Sequence, residues 1–104
     1  MQTENVSDKN IITIKLSKSY EFEGKEYKKL ELDFESLTGN DLISAEKEAR
    51  AMGDQTPMLE FSKTYQAIMA AKASKVPVDL IMKLSLKDFT KVTVRTGNFL
   101  FEEE

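Results

Sequence analysis

Between Leu30 and Ile43 the spacing of apolar residues changes from two to about three and a half, and that switch divides the chain into two kinds of structure. Leu30, Leu32 and Phe34 alternate with Glu31, Asp33 and Glu35, so a strand here places three apolar side chains on one face and three carboxylates on the other. Thr38 then offers a side-chain oxygen as an N-cap, with Asp41 at the third helical position as a short-armed capping box. From there Leu42, Ala45, Ala49 and Met52 recur at helical spacing. The sheet face and the helix stripe must be buried against each other, which predicts an α+β fold: an N-terminal antiparallel β-hairpin packed on a small bundle of three to four helices.

Upstream of the switch, Ile12, Ile14 and Leu16 alternate with Thr13, Lys15 and Ser17, and Tyr20 and Phe22 continue the pattern. Gly24, between Glu23 and Lys25, supplies the positive φ of a tight hairpin turn. Tyr27 is out of phase with Leu30, Leu32 and Phe34, which predicts a bulge in the second strand near Lys28 and Lys29. The hairpin so defined covers residues 11–35.

Downstream, a first helix is expected over residues 39–52, stopped by Gly53. Thr56 and Pro57 read as N-cap and first helical residue of a second helix reaching Lys75, with Met58, Phe61, Tyr65, Ile68 and Met69 on one stripe. At about 1.5 Å per residue it would be about 28 Å long and the longest element. Val76 before Pro77 ends it. A short helix over 78–84 should turn Val78, Ile81 and Met82 inward. Ser85 with Asp88 caps a last helix carrying Leu86, Phe89, Val92, Phe99 and Leu100. Residues 91–94 are rich in β-branched side chains, but Leu86, Phe89, Val92, Thr93 and Thr96 keep helical spacing behind a cap, so 91–96 is read as helix. The organisation is thus a flexible N-terminus (1–10), one α+β domain (11–101, helical from 39) and an acidic tail (102–104).

Chemistry is scarce. The 104 residues contain no cysteine and no histidine, which removes disulfides, thiolate metal sites, thiol nucleophiles and the imidazole base. Serines lack an activating partner, there is no glycine-rich phosphate loop, and Asp33, Glu35 and Asp41 read as an outward face and a cap, not as metal ligands or an acid/base pair. No catalytic, cofactor or metal residue is assigned. With 40% hydrophobic residues, no secretory signal and no apolar run long enough for a membrane, the chain is expected to fold and to stay in the cytoplasm. Six lysines against three glutamates between Lys9 and Lys29 are read as edge protection of a small sheet in a chain of net charge −3, and not as a nucleic-acid face.

Residues 12–16, 20–27, 30–34 and 37–46, together with 84–89 and 98–100, resemble the small tail assembly chaperones of contractile-tailed bacteriophages and related prophages. The resemblance implies a non-enzymatic protein of the bacterial host cytoplasm, absent from the mature virion, that binds the tape measure protein and helps the tail tube protein assemble around it. The competing class is a small DNA-associated or regulatory protein of a mobile element, also without enzymatic activity.

A partner surface is read at the C-terminal end. Phe99, Leu100 and Phe101 are consecutive, and neighbours on a helix lie about 100° apart, so they cannot all enter one core. Glutamates after them oppose the helix dipole and loosen the final turn. This end, with the accessible part of the Met58, Phe61 and Tyr65 stripe, is expected to dock a helical partner or to mediate self-association. Because no metal site is read, chelators should leave the melting temperature unchanged. A reproducible shift with millimolar Ca²⁺ or Mg²⁺ would restore the carboxylate cluster to consideration.

Overall fold

The computed structural model describes residues 11–102. The expected flexible segment 1–10 and the last two glutamates of the tail lie outside the described residues. Two antiparallel strands, β1 (Ile12–Phe22) and β2 (Lys25–Leu32), are followed by α1 (Gly39–Ala51), α2 (Lys63–Ser74), α3 (Val78–Met82) and α4 (Leu86–Leu100), with 3₁₀ turns at Phe34–Ser36 and Leu59–Phe61. The α+β architecture of hairpin and helices is the one expected.

Glu23 (φ 52°) and Gly24 (φ 80°) are both left-handed, the two-residue turn whose twist matches the strands it joins. Phe22 to Tyr20 pair with Lys25 to Tyr27, and Lys15 to Ile12 pair with Lys29 to Leu32. Between these stretches residues 16–19 of β1 stand opposite Lys28 alone. The register does break at Lys28, but the extra residues belong to β1, not to β2 as expected. Within the break the backbone N–H of Ser17 donates to Asp88 of α4.

Leu30, Leu32 and Phe34 are all buried, yet β2 ends at Leu32 and Phe34 sits in the 3₁₀ turn. The Asp33 N–H donates to the Ala73 carbonyl of α2 at 3.0 Å, so the chain leaves the hairpin by docking on a helix end. Phe34 stacks on Phe99, centroids 4.6 Å apart.

The Thr38 N–H donates to the Asp41 carboxylate at 2.9 Å, and α1 is followed by Gly53 at φ 95°, so this helix starts and stops where its caps predict. The second helix does not. It begins at Lys63, with the Ser62 hydroxyl accepting from the Tyr65 N–H at 3.1 Å, and spans 12 residues against 15 in α4. Thr56 cannot cap, because Arg50 holds its carbonyl at 2.8 Å and the Asp54 carboxylate accepts its N–H at 2.9 Å. Asp54 also accepts from the Ser62 hydroxyl, which pins 54–62 as a strap ahead of the helix.

Alanine-rich α2 is buried nearly all round and separates two cores. Ala67, Ala70, Ala71 and Ala73 join Ile14, Leu30, Leu32, Phe34, Leu80, Ile81 and Val92 on one side. Tyr65, Ile68 and Met69 join Ala45, Ala49 and Leu59 on the other, so the sheet face and the α1 stripe, expected to bury each other, pack instead on opposite sides of α2. Met52, placed on the buried stripe of α1, instead ends that helix as its C-cap and is exposed. Two further inward assignments fail for one geometric reason. Residues two apart on a helix point about 200° away from each other. Burying Leu80 turns Met82 outward, and burying Asp88 turns Leu86 outward to 81% exposure. Residues 91–96 are helical, and their threonines return hydroxyls to the helix: Thr96 to the Val92 carbonyl at 2.9 Å and Thr93 to that of Phe89 at 3.0 Å.

Phe34→Ala removes an aromatic side chain from this core and from its stack on Phe99, and should destabilise by about 3–5 kcal/mol in urea unfolding. An unchanged melting temperature would refute the packing.

Candidate functional site: an aromatic pair at the end of the last helix

The position of α4 is set at its first turn. Ser85 caps it by accepting from the Asp88 N–H at 3.2 Å. The reciprocal half of a capping box is not made, because the Asp88 carboxylate looks to the hairpin instead. It accepts from the Ser17 N–H at 2.9 Å, the Ser17 hydroxyl at 2.8 Å and the Tyr20 hydroxyl at 2.6 Å. The Tyr20 oxygen in turn accepts the Ser85 N–H at 2.9 Å, closing the cap through a residue 65 positions away. Asp88 is fully buried, and Lys91 lies 3.5 Å from it. Burial pushes its carboxyl upward, but the Tyr20 and Ser17 hydrogen bonds and the Lys91 charge outweigh that and hold it at about 2.

From that anchor α4 runs across α2, with Val92, Thr93, Thr96 and Gly97 buried. A Cβ on Gly97 would stand 3.1 Å from the Gln66 side-chain nitrogen, so the absence of a side chain permits the close crossing. Beyond Gly97 the helix leaves the core, and its last residues part in three directions. Phe99 is half-buried against Phe34, Leu100 is half-buried against the second core, and Phe101 is 47% exposed.

Phe101 meets Phe61, itself 61% exposed, with ring centroids 4.8 Å apart. Met58, in the strap just before Phe61, is exposed as well. Two distant sequence candidates, the aromatic end of the chain and the start of the Met58 stripe, are therefore brought together. Tyr65 is not among them. At 1% exposure it lies in the second core, and its hydroxyl is pushed up to about 12 by burial, with Glu46 and Glu60 adding to the effect. The stripe was split because Met58 and Phe61 precede the helix that buries Tyr65.

Missing from the sequence reading was the function of Asp88 beyond the cap. Its only local signal is a serine three residues earlier, and its partners lie 68 and 71 positions upstream. Among the described residues no three acidic side chains converge as a metal site, and no helix is long and apolar enough to cross a membrane.

Residues 13–100, from β1 to the last turn of α4, match the family described as "Phage tail assembly chaperone proteins, E, or 41 or 14". The chain belongs to the phage tail assembly chaperone family. No curated protein and no solved structure matches it. In the chaperone, the match thus includes both partners of the Asp88 anchor and the helix that carries Phe101 to Phe61.

The anchor makes stability depend on acid. Asp88 has a folded-state pKa near 2, below the ordinary carboxylate value of 3.8, so its contribution is complete above that value and is lost as pH falls towards 2. Asp54, held at about 2 by Ser62 and Thr56, adds a loss in the same window. Asp88→Asn should be less stable than the wild type at pH 7, and the gap should narrow between about pH 4 and about pH 2. A gap that stays constant over that range would deny the carboxylate its role.

Proposed function

We propose that this chaperone binds the phage tape measure protein and assists tail tube assembly around it, without enzymatic activity, in the cytoplasm of the bacterial host and not as part of the mature virion. Family membership supports assembly work on phage tail proteins. The observation that carries the finer reading is the exposed pair Phe61–Phe101, with Met58 beside it in sequence, on a molecule whose other aromatic stack, Phe34–Phe99, is used internally. Aromatic rings held at the surface by a rigid helix and a pinned strap offer an apolar stripe a ready contact at little entropic cost. Such a contact shields an aggregation-prone helix and releases it when tube subunits compete.

The structure moves the test from Leu100 to Phe61, since Leu100 also serves the second core. Chaperone and tape measure protein are co-expressed and co-purified, with wild type beside Phe61→Ser/Phe101→Ser. Recovery of the tape measure protein should fall at least tenfold, the loss expected when one or two hot-spot side chains are truncated, while the melting temperature stays within a few degrees. Full recovery with the double variant would place the contact elsewhere. Failure of the wild type to co-purify would remove the tape measure protein as partner.

A further inference from the structure

A second surface of α4, away from the aromatic pair, carries a charge pattern that folding does not need. Lys87, Lys91 and Arg95 follow one another at four-residue intervals along one stripe, beside a groove of about 410 Å³ whose other side is the backbone of β1 at residues 13–15. Its exposed apolar residue is Val94, while Ile14 at its edge is buried in the core. Like charges one turn apart on a helix repel, so this stripe opposes the helix it sits on. Lys15 adds a like-charge cross-strand pairing with Lys29. Compensation inside the fold is small. Lys91 lies 3.5 Å from Asp88, whose oxygens already serve Ser17 and Tyr20, and among the described residues no carboxylate comes within 4.0 Å of Lys15, Lys87 or Arg95. Locally unfavourable choices that the fold does not repay mark a surface kept for a partner.

We propose that this groove docks an acidic amphipathic helix of a protein partner, with carboxylates at i, i+4 and i+8 set against Lys87, Lys91 and Arg95 and an adjoining apolar stripe on Val94. Charge complementarity selects the sign of the occupant, and the repeat of one helical turn selects its spacing. A strand added to the β1 edge is disfavoured, because the Lys91 ammonium donates to the Lys15 carbonyl at 2.8 Å and takes up the edge acceptor a new strand would use. Nucleic acid is disfavoured by the net charge of −3 and by the exposed apolar Val94 in the groove. The inference does not rest on the Phe61–Phe101 contact or on the tape measure reading.

The probe is a synthetic peptide of about four helical turns, with glutamates at i, i+4 and i+8, leucines on the neighbouring stripe and a neutral remainder. It is titrated into the full-length ¹⁵N-labelled chaperone. Amide shifts should saturate at residues 13–15 and 87–95, and affinity should fall roughly tenfold between about 50 and about 300 mM salt as the charges are screened. Lys87→Glu/Arg95→Glu, at two exposed positions, should lose at least tenfold in affinity with a melting temperature no lower than that of the wild type, since each new carboxylate stands one turn from Lys91, and should gain affinity for the same peptide carrying lysine in place of glutamate. Lys87→Gln/Arg95→Gln should fall between the two. The proposal is overturned by the absence of shifts at those amides up to millimolar peptide, by shifts centred on Phe61 and Phe101, by tighter binding of a DNA duplex than of the peptide, or by sedimentation showing the groove filled by a second copy of the chain.

Discussion

The arrangement of this molecule depends on one buried charge. An ionised carboxylate taken out of water is expensive unless its oxygens are satisfied, and Asp88 is satisfied only if β1 comes to it. Ser17 donates twice and Tyr20 once, all three from the stretch of β1 that falls at or beside the break in register with β2. The irregular stretch 16–19, the placement of the hairpin on α4 and the completed N-cap at Ser85 meet at this one carboxylate. Hydrophobic burial holds the hairpin to the helices. The directional bonds at Asp88 determine which way it lies.

The second constraint is the central helix. Because α2 is buried on both sides, α1 and the strap 54–62 cover one core while the hairpin, α3 and α4 cover the other. The fourth helix is held at Asp88, Val92 and Gly97 and then outruns α2, so its final residues have too little core left to share. Phe99 and Leu100 each take part of what remains, and Phe101 is left to the strap residue Phe61. The exposed aromatic pair follows from helix length and anchor position.

Much of this was legible in the residues. Thr38, Asp41 and Gly53 bracket α1 through contacts within a few positions of one another, and Ser85 with Asp88 identified 91–96 as helix against its β-branched composition. Local chemistry failed where a residue was committed elsewhere. Thr56 and Pro57 look like a helix start until Asp54 and Arg50 claim the Thr56 backbone, and Phe34 keeps strand alternation although Asp33 has already turned onto α2. The divergence of Phe99, Leu100 and Phe101 was readable from the helical angle alone. Its counterpart Phe61 was readable only as part of a stripe that the fold divides, sending Tyr65 inward. Nothing near Asp88 in sequence announces Ser17, because that contact exists only in three dimensions.

The chain keeps a stable core under a small apolar display, so the contact proposed for it would need no unfolding to form. Hydrogen exchange with mass spectrometry, followed on the free chaperone and on the chaperone with an excess of tape measure protein, tests this most directly. The account predicts strong protection of residues 88–97 in both states, fast exchange of 59–61 and 99–101 in the free chaperone, and new protection confined to those two segments on addition of the partner. Loss of protection at 88–97 on binding would contradict it, since the anchored helix would then be what opens.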